Sequence, residues 1–297
     1  MTLTEKWADW AARIVSESDF FFQEQLVTIL ANHDEVRYSK PDFLFRGYPG
    51  LWRGNAIEAL IDLPPVKHLI LGHSDFAVTT LDLVKIRASR RCEKVWASNL
   101  ASPFWLARVL GARPLPLGLT NPTDESEAHR VFGDTTHFFA AYQAVPRLPS
   151  PSESVVYSNF SVKNAPRFRQ KLAALGAASE NVHVGTAEVS QQGRIRYLAE
   201  MRAAGLVLCP RGNGHDTHRF YEALLMGAIP IVLKNSYSRR LAAHFSLPHI
   251  AVSRWSAATD IQSMRSAFSR VHEGEWNLNA LSGTFWLAKL DQALGNR

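Results

Sequence analysis

Residues 206–233 read LVLCPRGNGHDTHRFYEALLMGAIPIVL, and the punctuation of this stretch decides the fold. An apolar run of strand length, 206–209, comes first. A loop broken by Gly212 and Gly214 follows it, and a helical segment occupies 216–226. Gly227 suits the left-handed position that stops a helix. A second apolar run, 228–233, is rich in β-branched residues. Two apolar runs joined by a helix with almost no connecting residues imply parallel strands in a buried sheet.

The helical segment has two faces. Phe220, Ala223, Leu224 and Gly227 fall at helical spacing and suit packing on a sheet. His215, His218, Arg219 and Glu222 fall three, four and seven apart, and form a polar stripe at the end where backbone N–H groups lack partners. A helix start after a glycine loop favours an anion, because its free N–H groups and its dipole both attract negative charge. Arg211 and Arg219 suit charge-assisted bonds to a diphosphate. Glu222, about one and a half turns further in, suits the two vicinal hydroxyls of a ribose. The polarity fits a nucleoside diphosphate along the helix start.

The string C-P-R-G-N-G-x-D-T-H-R-x-x-E-A-L-x-x-G-x-I-P-I-V, residues 209–232, resembles the donor-site signature of exostosin-like glycosyltransferases. A looser form runs through the GT-B glycosyltransferases. The resemblance implies an α/β protein of GT-B type, with two Rossmann-like domains facing across a cleft. It implies a sugar nucleotide held by the second domain, with Glu222 on the ribose and Arg219 and residues 211–214 near the diphosphate. The expected donor set is Arg211, Gly212, Asn213, Gly214, Asp216, Thr217, Arg219 and Glu222. Asn159 and Ser161 join it from the loop 159–164 (NFSVKN), because open α/β sheets bind ligands just outside the carboxyl ends of their strands. Lys163 and Arg167 stand near enough in sequence to meet a phosphate, with helix capping and solvent exposure as the plainer alternatives.

The 297 residues carry 33 Lys and Arg against 27 Asp and Glu, a formal charge of +6. No zinc-finger spacing, RNP motif or lysine-rich tail accompanies that excess, so nucleic acid is not an expected partner. Anionic small substrates and peripheral contact with an anionic membrane remain expected ones. No apolar run approaches the roughly 20 residues that span a bilayer, and the N-terminus does not read as a secretory signal. Cys92 and Cys209 are too few for a disulfide framework or a metal site. The expected location is the cytoplasm, including the inner membrane face, with Cys209 a buried free thiol.

Residues 4–15 and 20–30 read as short amphipathic helices, the second capped by Asp19. Residues 32–52 read as an irregular loop. Short strands at 68–71, 94–98 and 113–117 alternate with helical segments, as in a first Rossmann-like domain. No G-x-G-x-x-G marks it as a dinucleotide site. A helix with an irregular centre at Gly133 covers 125–143. Residues 145–153 (VPRLPSPSE) read as a linker, dividing an acceptor-side domain, 1–150, from a nucleotide-sugar domain, 151–297. Beyond it, strands at 154–158 and 182–185 and helices at 166–175 and 194–204 lead into the opening stretch. Helices at 237–245, 257–271 and 277–294 close the chain, the last crossing back to the first domain by resemblance.

Glycosyl transfer needs an acceptor hydroxyl that loses its proton as it attacks. Asp75 and His73, in the turn after the strand at 68–71, are the candidates for that role. A structural turn or helix cap is their plainer reading, and His33, Asp34 and Asp42 are rivals. No D-x-D follows an apolar strand, so neither metal nor cofactor is expected; arginines and a helix dipole can stabilise the leaving group instead. Trp52, Trp96, Trp105 and Trp255 suit stacking on a sugar or base, or a place in the core. The expected activity is transfer of a sugar from a nucleotide-sugar donor to a saccharide or lipid-linked glycan acceptor, in cell-surface polysaccharide synthesis. A GT-B-like nucleotide-sugar epimerase and a non-catalytic nucleotide-sugar or polyanion binder are the alternatives.

Overall fold

A computed structural model describes residues 3–23, 25, 36–39, 65–72, 75, 77–122 and 127–294. The chain groups into two compact units. One comprises Met1–Phe21, Gly118–Gly212 and Thr217–Gly283; the other comprises Phe22–Leu117, Asn213–Asp216 and Thr284–Arg297. Each is an α/β unit built on a parallel sheet. Among the described residues no helix is long and apolar enough to cross a membrane.

The four-stranded unit runs β1 (Val36–Ser39), β2 (Val66–Leu71), β3 (Cys92–Ala97) and β4 (Ala112–Pro114), adjacent in that order. Strand β1 falls inside the stretch 32–52 that reads as loop in sequence, and its pairing with β2 is what makes it a strand. Helix α2 (Thr80–Ser89) links β2 to β3, and α3 (Phe104–Val109) links β3 to β4. A capping box starts α2: Thr79 Oγ1 accepts from the Asp82 amide, and Asp82 accepts from the Thr79 amide. Buried Trp96 donates to His68 Nδ1 at 3.2 Å and meets Trp286 edge-on. Trp286 lies on the closing helix α11 (Gly283–Leu294), which groups with this unit.

The five-stranded unit holds β5 (Val155–Ser158), β6 (Val182–Val184), β7 (Gly205–Leu208), β8 (Ile229–Leu233) and β9 (Ile250–Val252), in spatial order β6-β5-β7-β8-β9. Strands β7 and β8 are apolar along nearly their whole length because both sheet faces are covered. The order turns back on itself between β5 and β7, which makes the carboxyl end of that pair a topological switch point. Helix α6 (Pro166–Ala177) begins on proline, whose missing N–H costs nothing there. Helix α7 (Gln191–Ala204) is capped by Ser190 and ends at Gly205 with φ +76°. Helix α8 (His218–Leu225) fills the crossover from β7 to β8. Gly227 closes it at φ +75°, where a Cβ would also lie 2.9 Å from Leu148.

The grouping is not a single break at residue 150. Helix α4 (Glu127–Gly133) and α5 (Thr136–Ala144) belong to the five-stranded unit. Tyr142 donates to the Leu225 carbonyl at 2.7 Å. The proline-rich stretch 145–153 is anchored rather than free, because buried Arg202 donates to the carbonyls of Val145, Pro146 and Met226. Helix α1 (Leu3–Ser16) also belongs here. The helix expected from residue 20 begins differently: Phe20 bridges Ser282, and the Phe21 amide donates to the Leu281 carbonyl. Asp19 accepts from Ser282 Oγ instead of capping a helix.

Candidate functional site

The switch point gathers arginines. Helix α6 carries Arg169 inward at 4% exposure, in the stripe Arg169, Leu172, Gly176 that faces its sheet. Its Nε donates to the Arg211 carbonyl at 2.9 Å, and Nη1 donates to the Ser161 carbonyl at 3.0 Å. One guanidinium therefore ties the loop after β5 to the loop after β7. Phe160 lies beneath two of these cations, with Arg169 5.6 Å and Arg219 5.7 Å from its ring centre. Arg211 stands over Phe168 at 5.3 Å.

Arg219, in the first turn of α8, is the unusual member. Its guanidinium is flanked by Phe160 and Tyr197. Its Nε is shut off from solvent and has no hydrogen-bond partner, and no carboxylate lies within ion-pair distance of it among the described residues. Burial works against its charge, but Tyr197, Cys209 and Glu222 hold the proton on. The buried Cys209 thiol is pushed far up, chiefly by burial, so it is not a nucleophile.

Glu222 is 4% exposed and occupied. Its Oε1 accepts from Arg194 Nη2 at 2.8 Å, and its Oε2 accepts from the Tyr197 hydroxyl at 2.9 Å. Burial alone would raise this carboxyl; the guanidinium of Arg194, with Arg219 and His218 behind it, outweighs burial and holds it below the usual carboxylate range. Arg194 is itself sealed, with its guanidinium 5.2–5.6 Å from the rings of Tyr197, Phe132 and Phe138. Asn159 is fixed in a second network. Its Nδ2 donates to the Tyr157 hydroxyl at 2.8 Å and to the Thr186 carbonyl at 3.2 Å, and the Tyr157 hydroxyl donates to Glu200 at 2.7 Å. Ser161 is exposed and its Oγ accepts from the Lys163 amide. Lys163 and Arg167 are exposed. His218 donates from Nδ1 to the Gly118 carbonyl at 2.8 Å.

Residues 162–275 match the model of the RXYLT1 C-terminal domain. Over that segment, which is less than half of the chain, the match supports a likeness to an exostosin/xylosyltransferase-like, glycosyltransferase-like family. It covers α6, α7, α8 and the strands from β6 to β9, so Arg169, Arg194, Arg219 and Glu222 all lie within the RXYLT1-like segment. No curated protein matches the chain.

The middle of the glycine loop groups with the four-stranded unit, and its geometry there is structural. The Asp216 amide donates to Asn99 Oδ1 at 2.7 Å, and its carboxylate accepts from the Leu117 amide at 3.0 Å. The Gly214 amide donates to Asp75 Oδ1 at 3.2 Å. A Cβ at Gly214 would lie 2.9 Å from Asn99 Nδ2 and 3.1 Å from that same Asp75 oxygen, which explains the glycine. Asp75 is exposed. It is not the cap of α2, a role held by Thr79. His73, His33, Asp34, Asp42 and Trp52 lie outside the described residues. Trp96 is core, whereas Trp105 is 70% exposed.

Arg169, Arg194 and Tyr197 were not singled out by the sequence reading. A signal existed: Arg194 falls in register with Leu198, Met201 and Arg202 on the inward face of α7, as Arg169 does with Leu172 on α6. A charged residue on a buried stripe needs a partner or a ligand.

Proposed function

We propose that the protein transfers a sugar from a nucleoside-diphosphate donor to a glycan or lipid-linked acceptor, with the diphosphate seated at the switch point of the five-stranded sheet. One observation carries this reading: Arg219 keeps a sealed, unpaired guanidinium nitrogen at the start of a helix. Such a group is costly without a counter-anion. Arg211, on the loop that leads into α8, and the positive end of that helix's dipole add to the potential. Arg169 fixes the two loops from behind. Both Glu222 oxygens already accept a hydrogen bond; a carboxylate has about four lone-pair sites, and its role on the ribose is part of this proposal.

In this reading the arginines and the helix dipole neutralise the departing diphosphate without calling on a metal. Asp75 takes the acceptor proton. The GT-B arrangement, an acceptor in polysaccharide synthesis and a cytoplasmic location belong to the same proposal. The test is thermal shift with UDP, GDP, dTDP, CMP and ADP. A ligand bound only by the folded chain adds about 2.7 kcal/mol at 100 times its dissociation constant. A shift with one nucleotide, lost in Arg219→Gln, supports the site and names the base. Shifts that are absent, or that survive Arg219→Gln, overturn it.

A further inference from the structure

In the four-stranded unit, β2, β3 and β4 are parallel neighbours, and α2 and α3 are the two successive crossovers between them. Right-handed crossovers that step in one direction place both helices side by side on one sheet face. A Thr80 to Ser102 hydroxyl hydrogen bond of 2.9 Å ties their starts together. Their inward residues are Leu83, Ile86 and Ala107, all buried. Their outward faces also carry large apolar residues, where solvent would call for polar ones. Leu81 and Val84 on α2 are 64% and 45% exposed, and Trp105 and Val109 on α3 are 70% and 73% exposed. Spacings of three and four make each pair a stripe rather than scattered contacts.

The same segment is basic. Residues 80–111 hold Lys85, Arg87, Arg90, Arg91, Lys94 and Arg108 against Asp82 and Glu93, a net charge of +4 within a chain of +6. Arg87, Arg90, Arg91 and Arg108 are exposed. A tryptophan and aliphatic residues rimmed by long cationic side chains match the interface of an anionic bilayer, where rings sit at headgroup depth and arginines reach phosphates. A second copy fits badly, since a two-fold contact would set this positive rim against itself.

We propose that the outward face of α2 and α3 docks peripherally on an anionic lipid surface. This does not depend on the nucleotide site. The experiment is co-sedimentation of the full chain with phosphatidylcholine vesicles and with vesicles containing about a third phosphatidylglycerol, at low and physiological salt. The anionic vesicles should bind several-fold more protein, with binding falling as salt rises. Trp105→Ser with Val109→Ser should lower binding about tenfold at unchanged thermal midpoint, whereas Val184→Ser, an exposed apolar change in the other unit, should not. Equal binding to both vesicle types, or wild-type binding by the double variant, overturns the proposal. So does a concentration-dependent dimer that the double variant abolishes, which would give the face to a second copy.

Discussion

Arg194 and Glu222 form an ion pair of 2.8 Å in which neither side chain reaches water, their exposures being 1% and 5%. Pairs of this kind add little net stability over apolar substitutes, yet removing one partner strands the other. Glu222→Gln should therefore cost about 3–5 kcal/mol, read as a lower urea midpoint at similar slope. Arg194→Met combined with Glu222→Leu should recover much of that loss. A Glu222→Gln chain as stable as the wild type would show that the guanidinium finds compensation elsewhere.

The pair also sets an acid limit. Glu222 is depressed in the folded chain, so its contribution is complete above the unfolded value of about 4.3 and disappears as pH falls through the lower folded value. His249 and His272 act at milder pH. Burial lowers both, so the unfolded chain binds protons first, and stability falls as pH drops below about 6.5. Urea midpoints from pH 8 to 3 should decline in two stages. Glu222→Gln should flatten the acid stage and leave the other in place.

Arg219→Gln should weaken binding of the preferred nucleoside diphosphate by about 1.5–3 kcal/mol, the range for a hydrogen bond to a charged group. Removing a guanidinium whose buried Nε has no hydrogen-bond partner should leave the thermal midpoint of the free chain nearly unchanged. Calorimetric titration measures the first effect and a melting curve the second. A fall in both would make Arg219 a structural cation instead.

Asp75→Asn keeps an oxygen that can accept from the Gly214 amide but removes the carboxylate proposed as the base. Transfer should drop by a factor of about 100 or more while nucleotide affinity holds. Asp75→Ala removes the tether on Gly214 as well. If Asp75→Asn transfers sugar normally, the residue only positions the glycine loop.

The opening stretch was legible because its signals are local. Gly227 at a helix end, apolar runs of strand length and a glycine loop each act within a few residues, and β7, α8 and β8 stand where they indicated. Strand β1 was not legible, since residues 36–39 read VRYS and owe their conformation to β2 beside them. The anchoring of 145–153 was hidden for a related reason. Prolines and serines look like a linker until Arg202, some 50 residues away, takes up their carbonyls. At the site, the sequence displayed Arg219 and Glu222 at the right spacing. It did not display their partners, because Arg194 and Tyr197 reach them from another helix.

The spatial order of the five-stranded sheet bears on how the protein can be dissected. Strand β5 lies between β6 and β7, yet it precedes residue 162, where the RXYLT1-like segment starts. A fragment expressed from that boundary would lack an interior strand of its own sheet. The long side of β7 and the inner side of β6 would become raw edges, rows of unpaired backbone groups that recruit other chains. Such a fragment should aggregate, whereas one beginning ahead of α4 keeps β5 and the Arg202 anchor together.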